Sequence, residues 1–287
     1  MKSLFRRSPP SHQVGLLLAS DRILLACVEP VPIFTSRAIH GPHDWPRAMG
    51  ELFAQHGLAK SKVRVALAAS LYQQIQIDKP AVPDAEMAGA LPWAIKDFVN
   101  EPVLQLAMDY VDLPTPPAGR PRINVICVPK SRVQQLADAV NGVATLEAIV
   151  SDELAMTALY EADQTVRMLL WQPRGQELQL LVFYRGGLCF SRPLRGFVSL
   201  TGAHEPDQGM LDGLTLEIQR SLDYLAGQLK LPEPGQMQLA IGSPFIGTLV
   251  RHLEQAFGFP VSAMANKAVL AGVEYLCAYG AALGGER

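Results

Sequence analysis

Few residues of this 287-residue chain stand at spacings that could support catalysis. The acidic pairs Asp84/Glu86 and Asp152/Glu153 could each act as a general acid and base. Both pairs stand where a helix is predicted to begin, and carboxylates there accept hydrogen bonds from free backbone N–H groups. The position of these pairs therefore favours helix capping over catalysis.

Histidine and cysteine predict neither a metal site nor a redox site. His40 and His43 form the one close histidine pair, and no third ligand lies near them in the sequence. The sequence also lacks the GxSxG, GxxxxGK[ST], HExxH and GxGxxG motifs. The four cysteines lie far apart in apolar settings, as small core residues do. They are Cys27, Cys127, Cys189 and Cys277.

Composition limits the class of protein. The chain is 49% apolar, which suffices for a large core, and its formal net charge of −2 gives no electrostatic reason to bind nucleic acid or anionic lipid. Residues 1–12 are basic, and Pro9 and Pro10 prevent a helix there, so we predict a disordered tail. No stretch has the features of a signal peptide or the length of a membrane span. We therefore expect a soluble, cytosolic protein with no direct membrane span.

The first part of the chain predicts three strands, a helix and a fourth strand. Ser-Asp-Arg and Pro-Val-Pro separate the first three apolar runs, and Asp44 is a natural N-cap for the helix. A crossover helix that returns to a parallel strand completes the unit. The predicted elements are strands Val14–Ala19, Ile23–Glu29 and Ile33–Ile39, helix His43–Gly57 and strand Lys62–Ala69.

A separate block, 72–145, predicts a small α+β subdomain in the order strand, helix, strand, strand, helix. Its first helix is expected at 84–99, and Ser131 is expected to cap the second. Residues 146–162 have apolar side chains at helical spacing and predict a helix. Residues 13–71 and 146–163 thus form a first half that the block interrupts.

The second half, 164–287, repeats the order of the first. Strands Val166–Trp171, Leu178–Tyr184 and Gly187–Leu194 precede a long amphipathic helix, with a reduced second subdomain around 197–235. The repeated order predicts an α/β protein with a duplicated, actin-like fold. One face of the long helix carries apolar residues at spacings of three and four. They are Leu211, Leu214, Ile218, Leu222, Leu225 and Leu229.

Several short stretches resemble the PilM/MshI family, the actin-like proteins on the cytoplasmic side of type IV pilus assembly platforms. They are LEIQRSLDYLAGQL, QLAIGSPFIGTLVRHLEQAFGFPV and GAALG in the second half, and ALPWAIKDF and AMDYVDL in the block 72–145. The resemblance spans roughly 13–284. It implies a duplicated actin-like (ribonuclease H-like) ATPase fold with a small α+β subdomain inserted in the first half.

The same resemblance locates a degenerate nucleotide site. The positions that match the family's nucleotide-binding turns are Leu17, Ala19, Ser20, Leu170, Gln172 and Gly242. Leu17 and Leu170 stand where the family has acidic residues that serve Mg²⁺ and water, and Pro173 removes a donor N–H from the second turn. We therefore expect no cofactor, no bound metal and no ATP hydrolysis.

The resemblance implies a scaffold of a mannose-sensitive-haemagglutinin (MSHA) type pilus. Its expected partner is the cytoplasmic N-terminal peptide of a PilN-like single-span inner-membrane protein, and the pilus assembly ATPase is a further candidate partner. The protein would thus associate peripherally with the inner membrane through its partners. Candidate peptide-binding residues are the apolar and aromatic residues of the inserted subdomain, some of which would line a groove at its junction with the first sheet. They are Tyr72, Ile75, Ile77, Trp93 and Tyr110.

Two alternatives remain open at this point. One is a divergent actin-like ATPase that still binds ATP. The other is a protein similar to the cytoplasmic domain of a type II secretion platform component. Chains of that second kind normally continue into a membrane span and a periplasmic domain, whereas this sequence ends at Gly284-Gly-Glu-Arg.

Overall fold

The computed structural model describes residues 12–284, so the predicted basic tail lies outside the described residues except for His12. The first half has the predicted order of three strands, a helix and a strand. The strands are β1 (Gln13–Leu18), β2 (Arg22–Cys27) and β3 (Ile33–Ala38), followed by helix α1 (Trp45–His56) and strand β4 (Lys62–Leu67).

The block that follows β4 is an α+β subdomain, as the sequence predicts. It consists of β5 (Gln73–Asp78), α2 (Asp84–Ile95), β6 (Leu106–Asp112), β7 (Arg122–Pro129) and α3 (Lys130–Asn141). Its three strands form an antiparallel sheet in the order β5-β7-β6. The chain then returns to the first half through β8 (Thr145–Ser151) and the one-turn helix α4 (Asp152–Ala155).

The second half contains the same series of elements. It consists of β9 (Val166–Trp171), β10 (Leu178–Tyr184), β11 (Gly187–Leu194), α5 (Gln208–Gly227), β12 (Pro234–Ala240), α6 (Ile246–Phe257), β13 (Val261–Ala263), α7 (Lys267–Ala271) and α8 (Leu276–Leu283). The two large sheets have matching orders, β3-β2-β1-β4-β8 and β11-β10-β9-β12-β13. In each sheet the first three strands are antiparallel and the last three are parallel. The predicted duplication is therefore confirmed.

The predicted helix at 146–162 is wrong. Residues Thr145–Ser151 form β8, which pairs in parallel with β4 so that Val65 lies opposite Ile149. Only a one-turn α-helix and a short 3₁₀ helix, Met156–Leu159, follow. The apolar spacing suits a helix, but the exposed edge of β4 and the β-branched pair Ile149-Val150 favour a strand.

Several predicted helix caps also differ from the structure. Asp44 stands at the N-cap of α1, but its carboxylate accepts the backbone N–H of His40 at 2.8 Å and caps no helical N–H. Ser131 lies inside α3, which begins at Lys130, and Asp84 is the first residue of α2, not its cap. Ser151 does cap α4, since its hydroxyl accepts the N–H of Leu154.

The two sheets and their helices enclose three apolar layers. One lies between the first sheet and α1 and α3, and another lies between the second sheet and α5 and α6. The third lies between the two sheets and contains α4, α7 and α8. All four cysteines are buried, as predicted for core residues.

The leucine face of α5 is correct in phase but shorter than predicted. Leu211, Leu214, Ile218 and Leu225 are buried against the second sheet. Leu222 is only partly buried there, and Leu229 lies just beyond the helix. The small residue Ser221 is fully buried, where it accepts a hydrogen bond from Arg192.

The last helix of the chain packs on the first half, although residues 164–287 were assigned to the second. Helix α8 lies against β1, β2 and β4 and against α4. The approach is so close that a Cβ on Gly15 would lie 1.8 Å from the carbonyl oxygen of Ala278, and a Cβ on Gly280 would lie 2.4 Å from that of Ala155. Glycine at both positions lets α8 bind the two halves together.

Candidate functional site

A cleft opens between the β1–β2 turn of the first half and the β9–β10 turn of the second. It encloses about 450 Å³, and residues from both turns line it, including Leu17, Ser20, Trp171 and Arg174. Asp152, at the start of α4, and Glu274 complete its walls. In a duplicated actin-like fold this is the place between the halves where the two nucleotide-binding turns face each other.

Three backbone N–H groups of these turns form hydrogen bonds within the protein. The Ala19 N–H donates to the Arg22 carbonyl at 3.0 Å, which closes the first turn on itself. In the second turn, the Gln172 N–H donates to Ala240 and the Gln176 N–H donates to the Pro173 carbonyl. These N–H groups are thus engaged, whereas phosphate binding needs N–H groups that point at the ligand.

Two of the three carboxylates that line the cleft, those of Asp21 and Asp152, are likewise engaged. Both Asp21 oxygens accept hydrogen bonds from the Arg22 guanidinium, which lowers the pKa of Asp21. Asp152 is 4% exposed and accepts the Ala69 N–H, the Tyr72 hydroxyl and the Glu153 N–H. Within residues 12–284, no three His, Cys, Asp or Glu side chains are grouped to hold a metal ion.

The two leucines predicted at the acidic positions lie in different layers. Leu17 faces the layer between the two sheets, but Leu170 is buried in the core between the second sheet and its helices. Successive side chains of a strand point to opposite faces. Trp171, the next residue, therefore faces the cleft, at 4% exposure. An indole thus lines the cleft at the end of β9, and Leu170 does not.

The remaining predicted nucleotide-site residues have different environments. Ala19 and Ser20 line the cleft as predicted. Gln172 does not face the cleft. It is 3% exposed, and its side-chain amide donates to the carbonyls of Phe197 and Val198 at 3.1 and 3.2 Å. Gly242 follows β12 and lies beside Val273, next to Glu274 in the cleft wall.

An apolar groove separates the inserted subdomain from the first half. It encloses about 220 Å³ between β6 and β8, each of which is the last strand of its sheet. The lining includes five consecutive residues of β6, 107–111, and three consecutive residues of β8, 149–151. Because consecutive side chains alternate between the two faces of a strand, both strands present their free edges to this groove.

Helix α3 and the start of α4 close the groove with Val133 and Leu154. Its one acidic or basic lining residue is Asp109, whose carboxylate accepts the Tyr110 N–H at 2.8 Å. That N–H bonds to a side chain instead of a neighbouring strand, which is consistent with a position on the free edge of β6. The groove is therefore apolar in its lining, with strand-edge backbone groups alongside.

The five candidate peptide-binding residues do not share one surface. Tyr110 lines the groove, whereas Tyr72 lines a separate pocket and donates its hydroxyl to Asp152 at 2.8 Å. Ile75 and Ile77 are buried in the subdomain core against α2, so they cannot contact a peptide. Trp93 points away from that core and is 77% exposed.

Sequence reasoning missed the segment that connects the groove to the cleft. Ser151 and Leu154 line the groove, and Asp152 lines the cleft. Glu153 reaches the second half, where Ser191 of β11 donates its hydroxyl to Oε1 at 2.5 Å. Burial raises the pKa of Glu153 to about 7 and that of Asp152 to about 6. The sequence Ser-Asp-Glu-Leu is typical of a helix start. It therefore did not indicate that this segment connects the groove, the cleft and the second half.

The protein has an actin-like ATPase fold with a small α+β subdomain inserted in the first half. Among solved structures, a chain of the PilM–PilN type IV pilus biogenesis complex matches with a TM-score of 0.69 and 17% identity, over 97% of this chain and 100% of that one. The cytoplasmic domain of EpsL, an inner-membrane component of the Vibrio cholerae type II secretion system, matches at 0.50 and 13%, over 93% and 94%.

A Bacteroides thetaiotaomicron protein with an actin-like ATPase fold also matches at 0.50 and 13%, over 92% of this chain and 95% of that one. No protein-family model matches the chain, and a search of curated proteins finds no relative. At identities this low, the structural matches establish a shared fold and no more. Among residues 12–284, no helix combines the length and apolar composition needed to cross a membrane.

Proposed function

We propose that this protein is a scaffold of the cytoplasmic assembly platform of a type IV pilus of the MSHA kind. It would bind the cytoplasmic N-terminal peptide of a PilN-like single-span protein and lie at the inner membrane through that partner. The groove between β6 and β8 carries the proposal. The similarity to a chain of the PilM–PilN complex and the PilM/MshI-like sequence stretches support it.

The groove suits an extended peptide. A peptide strand placed there can pair its backbone with a free strand edge, while apolar side chains enter between Tyr110, Val133 and Leu154. In such complexes, main-chain hydrogen bonds supply affinity and side-chain pockets supply specificity. Because Asp109 is the one charged residue in the lining, affinity should depend only mildly on salt.

The proposal includes a nucleotide site that has lost its function. Three features of the cleft support this view. Leu17 and Trp171 at the turns are apolar, the N–H groups of Ala19, Gln172 and Gln176 are engaged, and Asp21 and Asp152 are already hydrogen-bonded. The protein would then act through binding and not through ATP hydrolysis.

The test is a fluorescence titration with a labelled peptide from the N-terminus of the single-span protein encoded beside this one. Ala107 lines the groove with a small side chain, so Ala107→Arg should fill it without removing a core contact. We expect affinity to fall at least about tenfold, the scale of one lost anchor. The matched control is Ala54→Arg, at an exposed position of α1, which should bind like wild type.

If the two arginine variants bind the peptide equally well, the peptide does not bind in this groove. An Ile75→Asp or Ile77→Asp variant is unsuitable here, because both isoleucines belong to the subdomain core and a buried aspartate would unfold it.

A type II secretion platform is the second candidate, because the cytoplasmic domain of EpsL shares the fold over nearly the whole chain. The two candidates predict different partners. The same titration with the matching segments of secretion-platform proteins discriminates between them, since only the true partner should lose affinity in Ala107→Arg.

A further inference from the structure

A pocket on the outer side of the second half lies where the ends of α5 and α6 meet the loop before β12. It encloses about 400 Å³, which is within the range of ligand pockets. We call it the α5–α6 pocket. Its lining includes Gln219, Leu222 and Asp223 of α5, Phe257 at the end of α6, and Glu233 in the loop. It shares no lining residue with the groove or with the cleft.

Part of the lining is apolar and aromatic. Leu222, Phe257 and Phe259 pack against the core of the second half, but all three are only partly buried. The rings of Phe257 and Phe259 are stacked, with centroids 5.6 Å apart and planes 12° from parallel. An aromatic ring at the surface can bind the flat face of a guanidinium group as well as an apolar side chain.

The polar part of the lining carries negative charge that no cation neutralises. Asp223 and Glu233 are exposed and form no ion pair with any residue that the structure describes. The Asp223 carboxylate accepts the Gln219 amide at 2.8 Å, whereas Glu217, on the same helix, pairs with two arginines. Among residues 12–284, no lysine, arginine or histidine lines the pocket. Charge complementarity therefore favours a cationic occupant.

The ends of two helices add to the negative potential. Ala226, near the end of α5, and Ala256, near the end of α6, both line the pocket. The last carbonyl groups of an α-helix have no partner within the helix, and together they carry about half a negative charge. Pro232 and Pro234, in the neighbouring loop, have no backbone N–H to donate. The pocket is thus rich in hydrogen-bond acceptors, and it suits a cation with several N–H donors.

We propose that the α5–α6 pocket binds an arginine side chain of a partner protein, together with an apolar side chain next to that arginine. A guanidinium has five N–H donors in one plane, so it can bond to carboxylates while its face lies on an aromatic ring. A lysine ammonium is a point charge with three donors and has no such face. This interaction is independent of the groove and of the function proposed above.

The openness of the pocket to solvent favours a protein segment over a free small molecule. Sites for small ligands bury most of the surface of the ligand. The residues around this pocket are mostly exposed, and they include Asp223, Ala226, Pro232, Glu233 and Ala256. A protein segment can make further contacts on both sides of one anchored side chain, and arginine is among the residues that most often serve as such anchors.

The experiment is an NMR titration of the full chain with methyl-labelled leucine. The probe is a capped peptide of the sequence Ser-Leu-Arg-Leu-Ser, and Leu222 and Leu231 in the lining report its binding. We expect their methyl resonances to shift saturably, and the affinity to fall at least about tenfold in Asp223→Asn/Glu233→Gln. Because both carboxylates are exposed, this variant should keep the wild-type melting temperature.

The matched control is Asp212→Asn/Glu254→Gln, which changes the formal charge by the same amount. Asp212 lies on the same helix as Asp223 and accepts the amide of Gln208, four residues earlier, in the same way. Glu254 is an exposed residue of α6, and neither control residue lines the pocket. The control should bind the peptide like wild type. Ala107→Arg should do so too, since it alters only the groove.

Variant probes make the test specific. A lysine in place of the arginine should bind several-fold more weakly, and a norleucine should not bind. Equal affinity for the lysine peptide, or binding of the norleucine peptide, would overturn the proposal. So would equal losses in the pocket variant and its control, which indicate general charge attraction, and so would leucine resonances that do not shift at millimolar peptide. If agmatine, a small guanidinium compound, binds as tightly as the peptide, the pocket is a small-molecule site and the proposal is wrong.

Discussion

The carboxyl group of Glu153 illustrates how a single residue can make the two halves respond to pH. It is largely buried, Oε1 accepts the Ser191 hydroxyl, and Oε2 has no hydrogen-bond partner among the described residues. Asp152, Tyr72 and Cys277 are the titratable groups around it. With no cation there, desolvation dominates and raises the pKa of Glu153 to about 7, from an unfolded value near 4.5.

A raised carboxyl pKa makes the folded protein bind the proton more tightly than the unfolded chain. The stabilisation is complete below the unfolded pKa and is lost as pH rises through the folded pKa, between about pH 4.5 and 7. We expect Glu153→Gln to reduce this fall in stability by up to about 3 kcal/mol. Denaturant melts at pH 5 and pH 7.5 measure the difference.

Glu161→Gln is the matched control for Glu153→Gln, because Glu161 is exposed and its substitution should leave the pH profile unchanged. The pKa of Asp152 is also raised. In Glu153→Gln the free energy of unfolding should therefore still fall with rising pH, but with a smaller slope than in wild type. A Glu153→Gln profile parallel to wild type would mean that Glu153 is ionised in the folded protein throughout this range.

The sequence placed the residues of the first turn at the cleft but not those of the second. Leu17, Ala19 and Ser20 lie at the cleft, where the turn after β1 has only a few residues. The turn after β9 is longer, and the side chain at the cleft there is that of Trp171, one residue after Leu170. In a strand, a slip of one residue moves a side chain to the opposite face.

At the scale of elements, the contact between β1 and α8 depends on glycine. Gly15→Ala should be strongly destabilising, since its Cβ would overlap the Ala278 backbone and force β1 and α8 apart. Overpacking of this kind typically costs about 1–3 kcal/mol, and a backbone neighbour puts this substitution at the upper end. Thermal or urea unfolding measures the effect.

The matched substitution is Gly50→Ala in α1, where no atom lies within 4 Å of the new Cβ. Alanine there should stabilise the protein by roughly 0.5–1 kcal/mol through helix propensity alone. Equal effects of the two substitutions would show that α8 does not approach β1 as closely as described.

Element prediction was accurate where the local pattern agreed with the tertiary environment. The first three strands of each half, together with β4, α1 and α5, follow from alternation, helical periodicity and turn residues. Residues 146–162 failed because their apolar spacing suits a helix and only the neighbouring strand β4 makes 145–151 a strand. The packing of α8 on the first half has no local signal, since it depends on Gly15, which is more than 250 residues away.

At the scale of the whole molecule, direct protein contacts join the two halves. Helix α8 packs on the first sheet, and Glu153 bonds across to Ser191. A chain held together in this way needs no ligand between its halves.

We therefore expect millimolar Mg-ATP to leave the melting temperature unchanged. A ligand at about 100 times its dissociation constant would add roughly 2.7 kcal/mol. For a chain of this size that corresponds to a shift of about 5–10 °C, which differential scanning fluorimetry resolves easily. The partner peptide serves as the positive control, because binding to the groove should raise the melting temperature of wild type and not of Ala107→Arg. A shift of several degrees with Mg-ATP would show that the cleft still binds nucleotide and would favour the divergent ATPase.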